Sequence, residues 1–215
     1  MKGSRLSARA ATLVIVFTAA VGVAVGVGIH LLGSGDNSGS DDPLSGLRGQ
    51  ATWPAGTRPA PGFALSDQNG RRTSLASLRS QNVVLAFLDS HCDRPCGRAP
   101  RSLGTALRLL PRSTRPAVVV VSVDPRGDTP ESAAAAARRW GLTAGASWHW
   151  LFGPRAELAP VWASYRIAVR RASGQIAHTP AVYLIDRRGF ERVGLLWPFP
   201  PSWPAGDLRV LAGEG

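Results

Sequence analysis

The two cysteines of this chain, Cys92 and Cys96, are separated by three residues. Thiolates attack disulfides and bind soft metal ions. An apolar, β-branched run from Val83 to Leu88 leads into the pair and reads as a buried strand. The stretch behind it, GRAPRSLGTALRLL, has Leu103, Leu107 and Leu110 at helical spacing. The cysteines therefore stand where a central strand turns into a helix. Free N–H groups and the positive end of the dipole at a helix start stabilise a thiolate. With Cys96 in the first helical turn, the spacing turns both sulfurs to one side. They could then close a disulfide, with Cys92 as the attacking thiol and Cys96 as the resolving one, or chelate one metal ion. A three-coordinate Cu(I) centre needs one more donor, and imidazole suits it. The candidates are His91, His149 and His178.

Composition narrows the alternatives. Two cysteines are too few for a disulfide scaffold or a four-thiolate zinc site, and Met1 is the sole methionine, which excludes a methionine-rich copper tract. The formal net charge is +11, carried by arginines scattered singly and in pairs. No basic helix with interleaved aromatics appears, so no nucleic-acid partner is expected. A chain of 215 residues with 44% hydrophobic content suits one domain with a real core once its N-terminal segment is set aside.

That segment has three parts. Residues 1–9 are basic, and residues 10–32 are apolar apart from Thr12, Thr18 and His30. The run is long enough to span a bilayer, and the basic residues before it keep the N-terminus inside. No small-x-small cleavage site closes it, so an uncleaved, single-pass anchor in the cell membrane is expected, with the remainder outside the cytoplasm. Residues 33–60, rich in Gly, Ser, Pro and Asp, read as a flexible tether, and a folded domain spans 61–213.

The domain reads as strands alternating with helices. FALSDQNGRRTSL is a hairpin turning at Asn69-Gly70. Ala117 to Asp124 is a second buried strand. Asp128 or Thr129 caps the next helix, with Pro130 at its first position, Glu131 in its first turn and Gly141 at its end. SWHWLF is a short strand and PRAELAPVWASY a helix with Pro160 in its middle. AVYLID, the turn Arg187-Arg188-Gly189 and FERVGLLW close an antiparallel hairpin, and DLRVLAG is a short final helix. The fold class is α/β: a mixed central sheet with helices on both faces, preceded by one N-terminal transmembrane helix. A redox cysteine at the first strand–helix junction of such a unit is the thioredoxin arrangement.

Three segments make the chain resemble the Sco/SenC family of membrane-anchored, thioredoxin-fold copper proteins over most of residues 61–213. FLDSHCDRPC stands where that family has aromatic-Thr-x-Cys-x-x-x-Cys; VSVDPRGDTPE, from Val121 to Glu131, matches a family signature; HTPAVYLIDRRG, from His178 to Gly189, matches the segment with the family's histidine ligand. The resemblance implies copper bound by Cys92, Cys96 and His178. It also implies a role in maturing the copper centre of cytochrome c oxidase, with the copper-bearing subunit or another copper or redox protein as partner. The chain departs from the pattern at Asp93 and Gly97, where the family has prolines, and at Ala177, where it has an aspartate before the ligand histidine. Pro95 before Cys96 is instead the arrangement of the thioredoxin redox motif, and Pro180 stands where thioredoxin folds carry a cis-proline. These features give the second expectation, a membrane-anchored thiol-disulfide oxidoreductase using Cys92 and Cys96. A thiol peroxidase fits less well, because the Pro-x-x-x-Thr-x-x-Cys pattern is missing before Cys92.

Overall fold

Two strands, Val83–Leu88, apolar throughout, and Ala117–Ser122, apolar up to its last residue, are buried along their whole length. Neither alternates with polar residues, because both faces of the sheet they form are covered. The structure, a computed structural model, describes residues 46–92, 97–172 and 175–214. The expected anchor, 10–32, and Cys96 lie outside them, and no helix among the described residues is long and apolar enough to cross a membrane.

The elements follow in the order β1 (Ala51–Thr52), β2 (Ala64–Ser66), β3 (Arg72–Ser74), β4 (Val83–Leu88), α1 (Arg98–Arg108), β5 (Ala117–Ser122), α2 (Pro130–Trp140), β6 (Ser147–Leu151), α3 (Arg155–Ser164), β7 (Val169–Ala172), β8 (Gln175–His178), β9 (Ala181–Ile185), β10 (Glu191–Leu196) and α4 (Ser202–Gly213). The main sheet runs β1-β10-β9-β4-β5-β6. Strands β4, β5 and β6 are parallel, and β9 pairs antiparallel with β4 on its other side. This is the mixed sheet that the sequence pattern predicts.

Alternate residues of the central strands feed two cores. Val84, Ala86 and Leu88 of β4 pack under α1, α2 and α4, with Leu103, Leu107, Ala136, Trp140 and Leu208. Val83, Leu85 and Phe87 face the other way, onto Leu158, Val161 and Trp162 of α3 and onto the β2–β3 hairpin through Leu65. Burying each Val, Leu or Phe side chain contributes about 1.5–3 kcal/mol, so β4 alone anchors both layers. Helix α2 is bounded where the sequence places its ends: Pro130 opens it and Gly141 closes it at φ 75°, while of the two cap candidates Thr129 takes the role, in a reciprocal capping box with Ser132. Helix α1 meets the end of α2 so closely that a Cβ on Gly104 would fall 1.8 Å from the Trp140 carbonyl oxygen. Only glycine fits there.

Two stretches differ from expectation. Ala51 and Thr52, within the stretch read as tether, pair with Gly194 and Val193 as an edge strand. Their own sequence is too short and polar to announce a strand; the free edge of β10 recruits them. Helix α4 begins at Ser202, ahead of the DLRVLAG segment.

Asp207 on α4 ties the start of the fold to its end. Its Oδ1 accepts from the Arg48 N–H at 2.6 Å, while its buried Oδ2 has no hydrogen-bond partner. Burial pushes its pKa up to about 6, against the pull of the Arg48 and Gly49 amides. A carboxyl raised in the folded state holds its proton more tightly there than in the unfolded chain. The stability from this group is complete below the ordinary carboxylate value and is lost as pH rises through about 6. Urea unfolding of wild type and Asp207→Asn across about pH 4 to 7 should therefore show the wild type losing stability relative to the variant as pH rises. Parallel pH profiles for the two would show that Asp207 is not perturbed.

Candidate metal centre

Strand β4 ends at Leu88, and the chain then turns back on itself. The Asp89 carboxylate accepts from the His91 N–H at 2.8 Å, and the Asp89 carbonyl accepts from the Cys92 N–H at 3.3 Å. This turn sets Cys92 at the carboxyl end of the parallel strands, where open α/β sheets hold their ligands. Helix α1 opens at Arg98, two residues beyond Cys96 in the sequence. Cys92 is half-buried and is not a free thiol.

A carboxylate from the next loop holds the turn in place. Asp128 Oδ1 accepts from the Ser90 N–H at 2.8 Å and the Ser90 hydroxyl at 2.6 Å. Its Oδ2 accepts from the Ser122 hydroxyl at 2.6 Å and from Trp150 Nε1 at 3.3 Å. Arg139 of α2 donates to the Ser90 carbonyl at 3.1 Å. Burial raises the Asp128 pKa, although the Ser122 and Ser90 donors pull it down. Thr129, not Asp128, caps α2. The sequence offers both residues as caps and carries no sign that Asp128 instead cross-links three strand ends.

His178 reaches the same edge from the other side of β4. The antiparallel register pairs Ala86 with Val182, so the residues just before β9 lie beside the end of β4. Strands β7 and β8 form a separate hairpin, with Val169 opposite His178. Its base is tied twice, by the Thr179 N–H to the Ala168 carbonyl and by the Ala168 N–H to Thr179 Oγ1, both at 3.0 Å. The hairpin is missing from the sequence reading, although the alternation in VRRASGQIAH around Ser-Gly is its signal.

The imidazole is oriented by the backbone. His178 Nδ1 lies 3.1 Å from the Thr179 carbonyl oxygen. A carbonyl only accepts, so Nδ1 carries the proton and Nε2 keeps its lone pair for a ligand. Ala177 offers no carboxylate for this purpose, and the Thr179 carbonyl takes the role. Burial lowers the His178 pKa, against the pull of the Thr179 hydrogen bond and of the Asp89 charge. The ring is therefore neutral at pH 7 and available as a donor.

The other candidates have different surroundings. His149 sits mid-strand on β6 and binds Asp67 Oδ2 through Nδ1 at 3.2 Å, well inside the β2–β3 corner. His91 is exposed, with Nδ1 3.2 Å from the Ser90 hydroxyl. Among the described residues, Asp89, His91 and Asp124 have ligand atoms within 4.8 Å of one another. That set is harder than a soft cation prefers, and Arg171 of β7 already forms an ion pair with Asp124. The Thr179–Pro180 bond is trans; among the described residues the cis peptide is Trp197–Pro198. Cys96 lies outside the described residues, so the cysteine pair and His178 are brought together here only as far as Cys92 and His178 share one end of the sheet.

Asn at position 128 keeps the shape of Asp but turns an NH₂ toward donors that it cannot satisfy. Asp128→Asn should destabilise the protein by about 1–3 kcal/mol in urea unfolding and speed hydrogen exchange at the Ser90 amide. Wild-type stability together with wild-type exchange at Ser90 would show that the carboxylate does not hold this turn.

Comparison with known proteins gives these features a lineage. The family model SCO1/SenC matches residues 54–193. The solved structure of Bradyrhizobium japonicum ScoI with copper bound is similar at TM-score 0.60 and 26% identity, over 71% of this chain and 99% of that one. Arabidopsis thaliana ScoI with copper bound gives TM-score 0.63 at 18% identity, covering 73% and 99%. BsSco, a member of the Sco family of cytochrome c oxidase assembly proteins in which a disulfide switch was identified, gives TM-score 0.63 at 19% identity, covering 76% and 98%. A search of curated proteins found no match. The mixed sheet with its flanking helices is the thioredoxin-like architecture of these Sco structures, and the chain belongs to the SCO1/SenC family.

Proposed function

We propose that this protein carries copper for the assembly of cytochrome c oxidase. The reduced Cys92 and Cys96 thiolates and His178 Nε2 hold one Cu(I), which passes to the copper-bearing subunit by ligand exchange, or the pair keeps that subunit's own cysteines reduced. The observation that carries the reading is the His178 ring. It is neutral, it has its proton fixed on Nδ1 by the Thr179 carbonyl, and it stands at the strand end that leads to Cys92. Two thiolates and one imidazole form a soft, three-donor set that selects Cu(I) over hard cations. The copper-bound ScoI structures among its relatives support the same reading. Cys92 is not a free thiol in this structure, so copper loading begins with thiol–disulfide exchange, in which an external dithiol gives two electrons and two protons to the cysteine pair and leaves as its own disulfide.

The test is a competition titration of the reduced full-length protein with a Cu(I) chelator under anaerobic conditions. Wild type should bind one Cu(I) per chain, and His178→Ala should bind at least about tenfold more weakly without loss of folding. Equal affinities would remove His178 from the site. Absence of binding by either protein, with rapid reduction of a model disulfide, would instead establish the thiol-disulfide oxidoreductase.

The apolar run 10–32 is proposed as an uncleaved anchor that keeps the N-terminus in the cytoplasm and the folded domain outside the cell membrane. N-terminal sequencing of the protein recovered from membranes should read from the start of the chain. A mature protein beginning within residues 33–45 would sink the anchor.

A further inference from the structure

A cavity of about 460 Å³ opens between the loop after β5, the first turn of α3 and the β7–β8 hairpin. Val123, Val169 and Ile176 form its apolar walls, and Arg126, Arg155 and Arg171 bring three guanidinium groups to it. Among the described residues, Arg171 alone of the three has a carboxylate partner, Asp124. Arg155 lies 5.4 Å from the centre of the Trp162 ring, and Arg126 reaches Asp124 through its backbone N–H at 3.2 Å. Neither of these two side chains has an ion-pair partner among the described residues. Helix α3 adds its uncapped N-terminus, where Pro154 supplies no side-chain hydrogen bond. The acid of that turn, Glu157, lies against Gly153 and does not line the cavity.

Single arginines on a surface are solvated at little cost. Three in one concave, partly apolar space, opposed by one carboxylate, repel one another and favour an incoming anion. Guanidinium forks match carboxylates in bidentate geometry, and arginine clusters with apolar walls recognise acidic motifs.

The position of the cavity indicates what the anion belongs to. Asp124 is at once the partner of Arg171 and a neighbour, within 4.8 Å, of Asp89 and His91. His91 immediately precedes Cys92, so the loop after β5 that borders the cavity also lies against the turn that carries Cys92. A protein that brings its own ligands to Cys92 meets the loop that borders this opening. We propose that the cavity is the docking socket for an acidic segment, bearing aspartate or glutamate side chains, of the protein that exchanges copper with the site. The identity of that partner rests on the copper-carrier reading; the recognition of acidic side chains does not.

The probe is a short, end-blocked peptide of alternating Asp, Glu and Leu, titrated into the full-length protein. An analogue with Asn and Gln in place of the acids serves as its control. Arg126→Glu/Arg155→Glu is compared with Arg72→Glu/Arg112→Glu, which makes the same charge change at exposed sites elsewhere. The acidic peptide should bind wild type and the distant variant equally, more weakly as salt is raised, and the cavity variant at least about tenfold more weakly. The amide analogue should not bind. Equal loss in both double variants would reduce the effect to net charge, and no binding to wild type would refute the socket. Displacement of the peptide by free glutamate or inorganic phosphate at similar concentration would make it a small-anion site and overturn the protein partner. Should the Glu variants misfold, Arg126→Gln/Arg155→Gln gives the same reading. Cu(I) titration separates the two proposals: the cavity variant should keep wild-type Cu(I) affinity, whereas a wild type that binds the peptide in this pattern but no Cu(I) would retain the socket and lose the copper carrier.

Discussion

The buried carboxylate of Asp128 is the contact on which the functional end of the sheet depends. It takes hydrogen bonds from Ser90 after β4, from Ser122 at the end of β5 and from Trp150 of β6. Burying a carboxylate is costly unless its lone pairs are used, and here burial outweighs the donors in setting its pKa. What that cost secures is geometry. The loop carrying His91 and Cys92 has few apolar side chains to pack, so a polar cross-link to its neighbours must hold it.

The second constraint is strand β4 itself. Its six buried residues serve both cores, and its two neighbours run in opposite directions. The parallel neighbour brings the Asp124 and Asp128 loop to the carboxyl end of β4; the antiparallel neighbour starts at that same end and so brings His178. Residues more than eighty positions apart therefore meet at one edge because a mixed sheet has a strand end and a strand start side by side there. The β7–β8 hairpin extends the edge outward. The Arg171–Asp124 ion pair joins that hairpin to the loop after β5, coupling the histidine-bearing element to the wall of the neighbouring cavity.

By itself the sequence determined the local elements and singled out the candidate donors. Val83 to Leu88 had to be a doubly covered strand because no polar residue interrupts it, and Thr129, Pro130 and Gly141 bounded a helix because each satisfies a backbone requirement nearby. Cys92 and His178 were legible as candidate donors from residue type and from three family-like segments. Only the tertiary structure decided what those donors meet. The Thr179 carbonyl stands in for the carboxylate absent at Ala177, Asp128 joins strand ends instead of capping a helix, and Ala51–Thr52 complete the sheet from within an apparent tether. The clustering of Arg126, Arg155 and Arg171 was equally invisible. Period and propensity act over a few neighbouring residues, whereas hydrogen-bond partners and charge neighbours are set by strand order and register, which join segments far apart in the chain.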